Sequence, residues 1–260
     1  MIYILLLVVV AGATLLYNKK QVERTSPPFA SPKKWDQILI EKVNFYRNLN
    51  DKDRLRFKND LANFLSAVRI TGVKTNVSVE DRILVASSAV IPLFGFPAWT
   101  YRHLDEVLLY PDSFDRNFNI GSKSEIITGM VGNGAMEGKV ILSKPSLHLG
   151  FDISNDKKNV GIHEFVHLFD KESGAIDGIP PGYEDKSFTL PWLDFINHKS
   201  AEIINQRSDI NEYATTNKQE FFAVASEYFL NVHICFRKNI RNYMISCPKF
   251  SIKASQIQYN

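Results

Sequence analysis

The sequence predicts an α+β fold, and three observations carry that prediction. Apolar residues recur at helical spacing from Trp35 to about Leu93, short strand-like runs follow between Val107 and Ser143, and helical periodicity then returns. The chain has 260 residues, 45% of them hydrophobic, which is enough for one sizeable core.

Ile38, Leu39, Val43 and Tyr46 mark the first helical stretch, and Leu61, Phe64, Leu65 and Val68 the second. Glu80 to Val90 carries Ile83, Leu84, Ala86, Ala89 and Val90 with no Gly or Pro, which reads as a buried helix. Pro92, Gly95 and Pro97 then break the pattern. Val107 to Tyr110 is an apolar run stopped by Pro111-Asp112. Met130-Val131 follows Gly129, and Lys139 to Ser143 is bounded by Gly138 and Pro145, giving a small sheet. Ser154-Asn155-Asp156 predicts the start of the next helix.

The N-terminus differs in composition. Residues 1–17 carry no charge, Lys19 and Lys20 follow at once, and Arg24 comes soon after. That length and charge pattern predict a membrane anchor at the inner (cytoplasmic) membrane with the rest of the chain in the cytoplasm. The alternatives are a cleaved signal, a buried arm, or a cytoplasmic chain with no anchor. Residues 18–34, with Pro27-Pro28 and Ser31-Pro32, read as a linker, which leaves 35–260 as the folded domain.

Composition excludes two classes of partner. The net charge is +3, from 31 basic and 28 acidic residues, and Lys33-Lys34 and Lys157-Lys158 are isolated pairs, so no nucleic acid is expected. The cysteines, Cys235 and Cys247, form no CxxC pair, which argues against a thiolate metal site. Two free thiols or one short disulfide loop both fit.

The chemistry is concentrated in His163-Glu164-Phe165-Val166-His167, an H-E-x-x-H motif. On a helix, side chains at i and i+4 project from one face, so both imidazoles can reach one Zn2+ ion while Glu164 serves as general base towards water. Ile162, Phe165, Val166 and Phe169 form an apolar stripe that would bury this helix, and Gly174 can end it. A catalytic zinc needs a third ligand. Glu220, at the head of an apolar segment, is the candidate, with Glu227 as its rival. Asn217-Lys218-Gln219-Glu220 also reads as a capping box, so ligand and cap stand level on spacing alone. Ala223 is small enough to let the two helices approach closely. Asp170 and Glu227 could orient a histidine N–H, with Asp170 otherwise a solvent contact at the helix end. His103, His148, His198 and His233 lack ligand spacing and read as structural.

These blocks together carry a resemblance. Phe45-Tyr46-Arg47-Asn48-Leu49, the run from Glu80 to Ala89, Val107 to Pro111, Asn159 to Asp170, Asp177-Gly178-Ile179-Pro180, and Tyr213 to Asn217 leading into Glu220 to Phe229 resemble the Mlc titration factor A family of zinc peptidases. That family is similar in turn to the catalytic domain of anthrax lethal factor. The resemblance implies a zincin-like metallopeptidase domain with zinc on His163, His167 and Glu220, Glu164 as base and Tyr213 as a catalytic tyrosine. It implies aminopeptidase-like hydrolysis of a peptide or protein substrate. The family's namesake sequesters a sugar-responsive repressor. The alternative expectation is therefore a membrane-tethered regulatory module that binds a protein partner such as a transcriptional repressor.

Overall fold

The computed structural model describes residues 32–96, 99–122, 125–153, 158–172, 174, 176–179 and 186–232. Contacts divide the chain into residues 1–35 and 36–260, and the site described below lies within the second unit. The expected anchor, Cys235, Cys247 and His233 fall outside the described residues. Among the described residues no helix is long and apolar enough to cross a membrane.

The first helix, α1, spans Pro32–Lys42 and so begins three residues before the boundary expected at Trp35. A proline suits a first turn, where its missing N–H would have had no partner. A short α2 (Asn44–Arg47) leads to α3 (Asp51–Ala67), where the Asn50 side chain accepts from the Asp53 amide at 2.9 Å and caps the helix. Strand β1 (Arg69–Gly72) follows, then α4 (Val79–Leu93). A reciprocal capping box between Ser78 and Asp81 starts α4. Every residue from Ile83 to Pro92 is buried, as a helix with no polar stripe requires.

The sheet contains β1, β2 (Glu106–Tyr110), β3 (Gly129–Val131) and β4 (Lys139–Ser143), in the order β1-β2-β4-β3. The first two pairings are parallel, and β3 runs antiparallel to β4 with Gly129 opposite Leu142 and Val131 opposite Val140. β3 is therefore an edge strand. The architecture is α+β, as the sequence predicts, with β1 added. Helix α5 (Lys144–Asp152) follows β4 directly, with Ser143 as its cap and Pro145 in its first turn. In the sequence Pro145 looked like a strand terminator only. It fills both roles.

Helix α6 (Val160–Lys171), helix α7 (Lys186–Ile204), a 3-10 turn (Glu212–Thr215) and helix α8 (Lys218–Val232) complete the order. α6 packs against α4, α8 and β3. The stripe read from the sequence faces the core, since Ile162, Phe165, Val166 and Phe169 are all buried. Phe165 meets Phe64 and Tyr101 at ring separations of 5.7 and 5.3 Å, and Phe169 meets Phe96 at 5.1 Å. Burying each such side chain contributes roughly 1.5–3 kcal/mol, which fixes the rotation of α6 and turns its histidine face towards α8.

Candidate metal centre

Helix α6 begins at Val160, and the start expected at Ser154-Asn155-Asp156 lies outside the described residues. Asn159 caps the helix, its side chain accepting from the Ile162 amide at 3.0 Å. The helix stops as expected near Gly174, whose φ of 104° suits a residue without Cβ and whose amide bonds the Lys171 carbonyl at 3.0 Å.

His163, His167 and Glu220 come together across the α6–α8 interface, each offering a ligand atom to one cluster. His163 Nε2 lies 3.1 Å from His167 Nε2 and 3.1 Å from Glu220 Oε2, and His167 Nε2 lies 3.4 Å from the same oxygen. A tetrahedral ion with bonds of about 2.0–2.1 Å holds neighbouring donors roughly 3.3 Å apart, so this triangle fits one small cation and leaves a fourth position for another ligand. Ala223, one turn after Glu220 on α8, is small and fully buried.

Glu220 resolves the two roles left open by its spacing. Its backbone amide donates to Asn217 Oδ1 at 2.8 Å, so Asn217 does cap α8. Its carboxylate turns away from the cap and reaches the two histidines. The rival, Glu227, lies outside this triangle. One of its oxygens accepts from the Asn159 amide, and the other lies 3.4 Å from His163 Nδ1. It thereby orients His163 from behind and ties α8 to the start of α6.

The electrostatics are those of acids facing imidazoles. Burial works to raise the Glu220 carboxyl, but hydrogen bonds from His163 and His167 outweigh it and bring the pKa down to about 2. Burial works against a charged His163, but its bonds to Glu220 and Glu227 and the charge of Glu164 lift it to about 10. Glu164 is 7% exposed, and burial raises its pKa against the opposing pull of both histidines.

Glu164 sits against β3. A Cβ built on Gly129 would fall 2.7 Å from Glu164 Oε1 and 2.6 Å from a Val160 methyl, so no larger residue fits there without displacing the carboxylate. The sequence reading used Gly129 only to bound a strand. A glycine inside a strand can signal such a close approach. Tyr213, on the 3-10 turn before α8, is 53% exposed, with its ring 6.2 Å from that of His163. Burial, then the charges of Glu220 and Glu164, raise its pKa and keep the phenol protonated. A cavity lined by Val131, Gly132, Leu168 and Lys171 opens along α6 beyond the cluster.

Asp170 is a correction. It is not a solvent contact at the helix end. It is fully buried, and its Oδ2 accepts from the Gly178 amide at 2.9 Å. Burial is the largest influence on it and raises its pKa to about 7. His148 pairs with Asp81, and His198 is a surface partner of Glu202, as structural readings require.

The cluster lies on one helix bearing H-E-x-x-H and a second supplying a carboxylate, an arrangement fit for a metal-dependent hydrolase. Comparison with known proteins gives the class directly: residues 17–242 match the glucose-regulated metallo-peptidase M90 family, and the chain belongs to it. Among its relatives is an uncharacterized protein of Synechocystis, 25% identical over 82% of this chain and 79% of that protein. Mlc titration factor A of Yersinia pestis is 28% identical over 82% of this chain and 79% of its own length. The protein of that name from Serratia proteamaculans is 26% identical over 64% and 66%.

Proposed function

We propose that this chain is a zincin-like, zinc-dependent peptidase in which His163, His167 and Glu220 hold the ion, Glu164 is the general base and Tyr213 assists. The observation that carries the reading is the triangle of three donor atoms with edges of 3.1, 3.1 and 3.4 Å beside a buried glutamate that is not part of it. Two imidazoles and a carboxylate suit zinc, which binds nitrogen and oxygen donors tetrahedrally.

Zinc bound there supplies Lewis acidity and draws the pKa of water towards about 7. The substrate main chain pairs with the open edge of β3, where Gly129 keeps the approach to Glu164 clear. Glu164 takes a proton from water as the water oxygen bonds to the peptide carbonyl carbon. Its raised pKa suits that task. The Tyr213 phenol donates to the carbonyl oxygen as charge gathers on it. Glu164 then delivers its proton to the nitrogen, and the C–N bond breaks to release the amine.

The test is hydrolysis of a broad aminoacyl and peptide panel by the zinc-loaded chain beside Glu164→Gln. Cleavage by the wild type alone is expected. Equal rates in both would remove Glu164 from the mechanism. A second reading, a regulator that captures a protein partner, draws support from the name Mlc titration factor A carried by the Serratia and Yersinia relatives. Equal inactivity of both zinc-loaded proteins would favour it.

A further inference from the structure

We infer that Asp170 is a positioning residue for Glu220: through the segment 176–178 it sets where α8 begins relative to the histidines of α6. The inference rests on the metal reading above and assigns that site its support.

Asp170 lies one helical turn beyond His167 on α6, so the two move as one body. Its carboxylate is fully buried, and its Oδ2 accepts from the Gly178 amide at 2.9 Å. A buried carboxylate is costly without a donor, and the Gly178 amide that bonds this one comes from a loop rather than from the helix. Gly178 is gripped on its other side as well. Its carbonyl accepts from Trp192 Nε1 at 2.7 Å, and that buried indole stands edge-on to Phe221 and Phe222 of α8, at ring separations of 6.4 and 6.3 Å.

The loop then meets the first turn of α8 directly. Gly178 has φ +75°, and a Cβ placed on it would lie 2.4 Å from the Lys218 carbonyl oxygen, so the two backbones touch with no room for a side chain. Gln219 Nε2 donates to the Ile176 carbonyl at 2.7 Å. Lys218 and Gln219 are the two residues before Glu220. The metal triangle is therefore closed from outside: α6 carries two donors and Asp170, Asp170 holds the loop, and the loop holds the turn that carries the third donor. Glu227 ties α8 to α6 two turns further along, and the clamp holds the end of α8 that carries Glu220.

The test is zinc affinity of the full chain, read by competition with a chelating dye, alongside circular-dichroism melting of the metal-free protein. Asp170→Ala is expected to weaken zinc on the order of tenfold to a hundredfold, the range usual for groups that orient metal ligands. Asp170→Asn keeps an acceptor for the Gly178 amide and should bind close to wild type. Trp192→Phe keeps the ring and loses the donor, so a smaller weakening is expected. It also decides the matter if Asp170→Ala does not fold. The reading specific to positioning is a double-mutant cycle: in a Glu220→Ala background, Asp170→Ala should cost no further affinity. The inference is overturned if folded Asp170→Ala, or Trp192→Phe where Asp170→Ala does not fold, binds zinc like wild type, or if Asp170→Ala costs the same factor with and without Glu220. A wild-type chain that takes up no zinc overturns the metal reading and this inference with it.

Discussion

Two clusters in this chain bring buried carboxylates up to histidine, and they are balanced differently. Between α4 and α5, Asp81 is fully buried and bonds His148 Nε2 at 2.7 Å, Lys144 Nζ at 2.8 Å and the Ser78 amide at 2.6 Å. Beside it Lys42 reaches Asp152 at 2.7 Å and Glu80 at 3.8 Å. Every acid there has a cation supplied by the chain. Between α6 and α8, the ion-pair partners of Glu220 and Glu227 among the described residues are histidines alone, and Glu164 is buried beside them. A cluster that neutralises itself is a fastener. A cluster of acids facing only imidazoles can exchange their protons for a metal ion, because imidazole nitrogen is a metal donor once deprotonated where lysine offers no comparable site.

That contrast separates function from stability, and substitutions on each side can break it. The largest effect is expected from Glu164→Gln, with kcat lower by about 10²–10⁴-fold and zinc affinity close to wild type, measured by peptide hydrolysis and dye competition. Asp81→Ala should do the reverse. It leaves Lys144 and His148 without their buried partner and should cost about 1–3 kcal/mol, a fall of several degrees in the melting temperature, with zinc affinity unchanged. If Asp81→Ala weakened zinc as strongly as it lowered stability, the two clusters would not be independent. Tyr213→Phe should lower kcat about tenfold with little change in KM, a modest loss for a donor that solvent partly reaches.

The smallest expected effect is on acid stability. Burial alone would raise the Asp81 pKa, but the bonds from His148, Lys144 and Ser78 outweigh it and depress it well below its ordinary value of 3.8. The unfolded state therefore binds the proton first. The contribution is complete above about pH 5 and is lost as the pH falls further. Between about pH 5 and 3 the melting temperature of the wild type should fall more steeply than that of Asp81→Asn.

The two regions also differ in how far they could be read from sequence. The pair His163 and His167 is local, four residues apart on one helix whose apolar stripe orients it, so the motif and its face were legible together. Glu220 lies 57 residues from His163, and periodicity carries no information across that gap. Its cap reading and its ligand reading rested level until the family resemblance separated them, and the fold gives the cap to its amide and the histidines to its carboxylate. The solvent-contact reading of Asp170 failed because its partner, Gly178, sits in an irregular loop. β1 was missed because Arg69–Gly72 is four residues long with no alternation, and α5 because it starts where β4 ends and Pro145 suits either element. Asp81 and His148 are 67 residues apart, so only the fold brings them together.

The central claim is that the α6–α8 cluster takes one cation. The most direct measurement is the melting temperature and metal content of the chelator-treated chain before and after adding zinc, with His167→Ala beside it. The account predicts one ion per chain and, at free zinc about a hundred times Kd, a stabilisation of about 2.7 kcal/mol, seen as a rise of roughly 5–10 °C in the wild type and none in His167→Ala. A wild-type chain that takes up no zinc and melts at the same temperature would contradict it.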